Sequence, residues 1–514
     1  MSAILVIFIS LLTLIYYLVQ RRFNFWKKRK VPFVEPSFIF GNYKDHILLK
    51  RFLPFVTQEI CEKFPDAPYV GTFFGTDPAL VVKDPELIRI VTTKDFYYFS
   101  SREVSDHTHH EVMTQNLFFT HGDRWKILRQ NFSPLFSSSK MKNMFYLIKN
   151  CATGLEAFID ENIQKCPNME VTDLMARYTI DGISSCAFGV DAKTLDTDGE
   201  TNPFKTISEQ ILEVSTVRAL KFNSRCMWPK IFYGLGLKVF HLHVNEFFHK
   251  ILTGVFESRQ YKPTAKNDFV DLILNMKVNY NNVITGDSLS NLKTGDNKKI
   301  DLVLDDEILV AQCVVFFVGG YETSAFTLSF TLYELAKHQE AQNRAIAEVD
   351  DYWQRHENGL DYDCVNDLPY VAACVDEALR LYPVLGTITR EVIEDYTLPT
   401  GLHLEKGARV HIPVRYLHYH PDYFPEPEKY RPERFLGEER KNVKSYTYMP
   451  FGEGQRICIG KRFAKMQMMA ALVTILKKYR LELAEDTPQT VELEPRSILP
   501  HPVGGIRLKF VQRT

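Results

Sequence analysis

Cys458 lies in residues 450–460, Pro-Phe-Gly-Glu-Gly-Gln-Arg-Ile-Cys-Ile-Gly, with Arg456 two residues before it and Phe451 seven before it. Gly452 and Gly454 supply backbone freedom that lets a loop approach a flat ligand closely. Amide N–H groups of such a loop can point at a thiolate sulfur and spread its charge. Downstream, residues 461–478 place Phe463, Met466, Met469, Ala470, Val473 and Leu476 at helical spacing, so Cys458 precedes a helix N-terminus, whose dipole also favours an anion. The chemistry this suggests is a single thiolate ligand to a haem iron. A buried structural cysteine in a Gly-rich turn is the competing reading, and only distant stretches can decide.

Three such stretches carry polar groups at meaningful spacing. Trp125 and Arg129 stand four apart at a helix start, Gly-Asp-Arg-Trp-Lys-Ile-Leu-Arg. An indole N–H and a guanidinium on one face suit a pair of carboxylates; a surface Arg over a core Trp is the plainer alternative. Residues 305–337 run without proline and are apolar through most of their length, as a helix in the middle of a large protein would be. Gly319 and Gly320 interrupt it at roughly 1 kcal/mol each relative to Ala. A widened turn accepting ligand or water would justify them, with Glu322 and Thr323 beside it as a short proton relay; a simple kink is the alternative. Glu377 and Arg380 sit three apart on a helix face, followed by Arg390 and by Pro-Glu-Arg-Phe with Arg434.

The elements that must hold these groups read as mainly α with a smaller β-rich portion. Residues 69–74 and 79–83 are strands around a Gly-Thr-Asp-Pro turn, and Asp84-Pro85 caps a helix through Val91. Residues 140–164 and 171–189 are helical. Residues 202–262 are broken helices, aromatic and apolar enough to touch a bilayer or cap an apolar site. Residues 279–299 are polar and read as a mobile loop. His107, His109 and His110 fit no usual ligand set.

Composition is ordinary: 514 residues, 45% hydrophobic, 62 basic against 63 acidic side chains. The balance excludes a general nucleic-acid binder. Nine scattered cysteines without a CxxC pair indicate reduced thiols rather than a disulfide framework or zinc site. Residues 3–19 are apolar apart from Ser10 and Thr13 and are followed by Arg21, Arg22 and Lys27–Lys30 basic residues. That is an uncleaved anchor with the following chain cytoplasmic and Trp26 at the interface. Residues 1–20 are the anchor, 21–36 a basic, Pro-containing stiff connector, and 37–514 a single domain, since no linker divides them.

Trp-x-x-x-Arg, Gly-Gly-x-Glu-Thr-Ser, Glu-x-x-Arg and Phe-x-x-Gly-x-Arg-x-Cys-x-Gly, in this order across nearly the whole chain, resemble the cytochrome P-450 superfamily of haem-thiolate monooxygenases. Residues 132–142 and 319–323 resemble its microsomal clan of arthropod detoxification and vertebrate drug-metabolising enzymes. The resemblance implies the P-450 fold, with haem b between the long central helix and the cysteine loop. Cys458 would ligate iron with Phe451 packed against it. Arg456, Arg390, Trp125 and Arg129, with Arg102 a further addition, would bind the propionates. Glu322 and Thr323 would guide protons on the distal side, and Glu377, Arg380 and Arg434 would form a structural charge network. Phe118, Phe119, Val315, Gly319, Leu385 and Gly386 would line the pocket. The chain has no dinucleotide fingerprint, so electrons would come from an NADPH-dependent flavoprotein reductase, with cytochrome b5 as a second donor. Lys126, Lys140, Lys142, Lys461, Arg462 and Lys465 would form a basic docking face or a merely solvated one. The implied place is the endoplasmic reticulum membrane and the implied substrate a small lipophile, a xenobiotic or an endogenous lipid or hormone. A haem-thiolate peroxide isomerase or dehydratase and a non-enzymatic haem sensor are the rival functions.

Overall fold

The computed structural model describes residues 2–196, 202–264, 268–280, 282–356 and 359–513. Helices dominate, with one four-stranded, one three-stranded and two two-stranded sheets beside them among the described residues. The central element is the 32-residue helix Asp306–Lys337, whose N-cap Asp305 accepts from the Ile308 N–H at 2.7 Å. It packs along Val171–Ile183, which continues into a π-turn, Ser184–Phe188, where residues 171–189 were expected to be one helix. Most of its side chains are buried, as its all-round apolar sequence demands.

The four-stranded sheet runs Tyr69–Phe74, Asp77–Val82, Arg409–Ile412, Ile388–Glu391. The middle pair is parallel and the outer pairs antiparallel. Gly75, at φ 62°, makes the turn between the first two strands. Asp84 caps Pro85–Arg89 through the Leu87 N–H, as its sequence requires. The last strand is short, and Arg390 is buried on it opposite Val410.

Two expectations are corrected. Residues 279–299 are not a mobile loop: the helix Phe269–Tyr280 ends in them, and Val283–Asp287 pairs with Lys299–Val303 in an antiparallel hairpin around a short helix. Ile284 is buried and Gln130 of the helix Gly122–Phe132 bonds both the backbone and the side chain of Asp287, so the hairpin braces the helix that carries Trp125 and Arg129. Asn281 lies outside the described residues. Trp26 is not at a membrane interface. It is 1% exposed, and its Nε1 donates to Thr72 O at 2.8 Å. A Cβ at Gly71 would come within 2.5 Å of its ring, so the strand must carry glycine there. The stiff connector is held to the sheet where Pro32 O accepts the Gly71 N–H. Ahead of it, Ser2–Phe23 is one helix with Ile4 through Leu18 exposed and its end, Val19 and Phe23, buried against the body.

Candidate active site

The cysteine loop is built by two left-handed glycines and one reverse contact. Gly452 and Gly454 have φ of 73° and 72°. A Cβ at Gly454 would lie 1.8 Å from Thr92 O, so the loop presses backbone to backbone against the π-turn Ile90–Lys94. The Cys458 N–H donates to Phe451 O at 2.8 Å and closes the loop. The helix Lys461–Lys478 begins three residues later. Cys458 sits deep among protein atoms yet remains accessible, the mark of a residue lining an interior cleft. Burial pushes its thiol up, opposed by the Gly460 N–H, Arg129, Arg102 and Lys461. Burial outweighs them, and a bound metal ion would favour the thiolate.

Around this loop the fold gathers the expected arginines from four separate segments. Arg129 donates to Ile457 O at 2.8 Å, next to the cysteine. Arg456 donates to Ser100 O and Thr120 O, both at 2.6 Å, and its guanidinium lies 4.4 Å over the buried ring of Trp125. Arg390 reaches only its neighbour's carbonyl, Thr389 O, and Arg102 reaches Phe118 O. Phe451 is half-buried, with Lys461 Nζ 5.5 Å from its ring.

No carboxylate among the described residues pairs with Arg102, Arg129, Arg390 or Arg456. Arg390 Nε and Arg456 Nη1 are buried without any hydrogen-bond partner. Burial lowers Arg456 well below the usual guanidinium range, and repulsion from Arg102, Arg390 and Arg129 lowers it further. Burial likewise brings Arg102 down to about 9 and Arg390 to about 10. Buried charges of one sign without counter-charge are costly, and the cluster is complete only with an anion.

The central helix reaches this cluster through residues 115–120. Gln312 accepts from the Leu117 N–H and donates to Gln115 O, and Thr120 in turn receives Arg456. Gly319 is exposed in the middle of this buried helix, with half-buried Val315, Glu322 and Thr323 about it. The two glycines have different reasons. A Cβ at Gly319 meets nothing within 4 Å, whereas one at Gly320 would strike Ile183 at 2.6 Å. Gly319 keeps a face open and Gly320 admits a neighbouring helix, and the expected widened turn is ordinary α-helix. Thr323 Oγ1 donates to Gly319 O at 2.7 Å. Glu322 Oε2 is buried without a partner, and burial pushes its carboxyl up to about 8 against the pull of Arg218 and Tyr321. No hydrogen bond joins Glu322 or Thr323 to the arginine–cysteine cluster among the described residues.

A family model for cytochrome P-450 matches residues 32–509. The chain belongs to the cytochrome P-450 family. It is similar to cytochrome P-450 6B2 of Helicoverpa armigera, 37% identical over 504 residues, 98% of this chain and 97% of that one. Cytochrome P-450 6k1 of Blattella germanica is 35% identical over 517 residues, covering 99% and 97%. Membership makes the protein a haem-thiolate monooxygenase in general terms, with the mainly helical P-450 fold. Its exposed apolar N-terminal helix fits a single membrane anchor.

Haem, which the family implies, fits the residues present: an accessible cysteine thiol that could ligate its iron, and orphaned guanidinium nitrogens that could donate to two carboxylates. Phe118 and Leu385 are large apolar side chains left accessible, as pocket residues would be. Gly386 is corrected: its Cβ direction points at Pro54, 2.6 Å away, so it packs against the helix Leu53–Glu62 instead of lining a pocket. His107, His109 and His110 stack on one another and on Tyr233. Sequence reasoning missed the carbonyls of Ser100 and Thr120 and the pin at Gln312. The carbonyls belong to the backbone and leave no residue-type signal.

Proposed function

We propose that this P-450 is a microsomal monooxygenase of small lipophilic molecules, xenobiotic or endogenous, in which Cys458 ligates the haem iron. The observation that carries this reading is a cluster of four guanidiniums without a carboxylate partner among the described residues, Arg390 and Arg456 buried, beside an accessible cysteine. Arg456, Arg390, Arg129 and Arg102, with the Trp125 indole, hold the propionates. Phe451 packs against the thiolate and excludes water from it. The haem, when bound, supplies activation of dioxygen, which a thiolate ligand promotes. Glu322, neutral at pH 7 with its carboxyl near 8, can donate a proton on the face left open at Gly319. Thr323, its hydroxyl proton parked on Gly319 O, can accept and pass one on.

The rival peroxide isomerase has no use for this acid–alcohol pair, and a sensor has none for a proton relay. Electrons come from an NADPH-dependent flavoprotein reductase, with cytochrome b5 as a second donor. Lys142, Lys461 and Arg462 are exposed, the last two directly after the cysteine loop, and offer an acidic partner a basic face. Residues 37–514 act as one haem domain behind an anchor, 1–20, and a connector, 21–36, in the endoplasmic reticulum membrane.

Carbon monoxide binding to the reduced protein tests the ligand. Wild type gives the red-shifted Soret band of a thiolate-ligated haem and Cys458→Ala does not; a band surviving in Cys458→Ala overturns the assignment. Substrate-dependent NADPH oxidation with added reductase separates the monooxygenase from both rivals, which show none.

A further inference from the structure

His418 has no part in the reading above, yet it is fully buried at the end of the short helix Val414–His418. Both ring nitrogens are engaged. Nε2 accepts the Met449 N–H at 3.0 Å, and Nδ1 lies 3.2 Å from Arg380 O. An imidazole accepts at one nitrogen only when neutral, so the proton is on Nδ1 and is donated to the Arg380 carbonyl. Arg380 answers by donating Nη1 to His418 O at 2.8 Å. Burial, with Arg380 and Arg415 adding repulsion, brings the ring down to about 3, so it stays neutral. Its ring packs tilted against Tyr448, centroids 5.2 Å apart, and the Tyr448 hydroxyl bonds Asp376.

The two ends of this bridge belong to different structures. Arg380 is tied through two nitrogens to Glu377, at 2.8 Å each, and Glu377 also takes Arg434 and the Arg431 N–H. Met449 opens the cysteine loop: Met449 O accepts the Gly452 N–H at 3.0 Å, and Phe451 O accepts that of Cys458. A phenylalanine would fill the same space but leave a buried N–H of Met449 orphaned, which proteins rarely tolerate.

We infer that His418 is a positioning residue that suspends the cysteine loop from the Glu377–Arg380–Arg434 network and so fixes where the thiolate stands. The inference rests on Cys458 being the iron ligand. Through the neutral ring, rigidity of the network passes to Met449 and through two backbone contacts to Cys458. A network with no link to the loop would stabilise the fold without steering the sulfur.

The test compares wild type, His418→Phe and His418→Gln, each loaded with haem. One readout is the ratio of long- to short-wavelength Soret bands in the reduced carbon monoxide complex after mild warming. The other is hydrogen exchange at the Met449 amide. His418→Phe should bind haem, lower the band ratio about tenfold and speed exchange at Met449 about tenfold or more. Gln can both accept and donate at these positions, and should restore most of each. Wild-type values in His418→Phe for both readouts overturn the inference. If His418→Phe does not fold, exchange at Met449 in wild type decides, since an amide no slower than those of exposed loops also overturns it. Failure of the ligand reading looks different: wild type itself then lacks the long-wavelength band, and the exchange arm still judges the bridge.

Discussion

Two sets of arginines, wholly or partly buried, lie in contact with or linked to the cysteine loop, and their charges are met in opposite ways. Arg380 and Arg434 share Glu377, all three buried, with further donors bonded to the carbonyls of His418, Lys429 and Glu426. Arg102, Arg129, Arg390 and Arg456 have carbonyls but no carboxylate, and nitrogens of two of them are orphaned. The first set is closed and can only be structural. The second is open, and an open cluster of buried charge is a request for a ligand. Their difference separates function from scaffold without reference to any relative.

Breaking the closed set should have the largest effect. Glu377→Gln leaves two guanidiniums buried without an anion and should cost about 3–5 kcal/mol, read by chemical denaturation of the haem-loaded protein; a loss below 1 kcal/mol would erase the contrast. The open set should respond with the opposite sign when haem is absent. Arg390→Met removes an unmatched charge, so the haem-free protein should melt at a higher temperature. The same variant should bind haem about tenfold or more weakly, as loss of a charged hydrogen bond of about 1.5–3 kcal/mol implies.

Glu322 is intermediate between the two sets, facing Arg218 without a close salt bridge among the described residues, and its effect should be confined to one pH window. Its carboxyl is raised from the ordinary value to about 8, burial being the main cause. The folded state therefore binds the extra proton between about pH 4.5 and 8, and stability falls as pH rises through that window. Glu322→Gln should remove this decline, so the difference between variant and wild-type stability should grow from pH 5 to pH 8. A constant difference would place the carboxyl in water.

Much of this was legible in the residues. Cys458, Arg456 and Phe451 lie in one short loop, and Glu377 and Arg380 are a turn apart on one helix, so local spacing carried them. Trp125 and Arg129 showed their shared face but not what braces it, because residues 283–303 are largely polar and hide their pairing, with few buried apolar side chains such as Ile284 and Leu289 to announce it. The twin glycines, 319 and 320, were legible as an anomaly but not as two causes, since the pressure on Gly320 comes from Ile183, far away in sequence. Trp26 was misplaced for the same reason: its partner, Thr72 O, is a backbone atom of a strand met only after folding. Composition announces what a residue prefers, whereas its neighbours across the chain decide what it does.

The central claim is that the open arginine cluster exists to hold two carboxylates of a haem. Titrating the haem-free protein with haem and with haem dimethyl ester tests it most directly, because the esters keep the porphyrin and remove both negative charges. The account predicts that the ester binds at least about a hundredfold more weakly, at about 1.5–3 kcal/mol per charged hydrogen bond, and that Arg390→Met narrows the gap. Equal affinity for the two would contradict it.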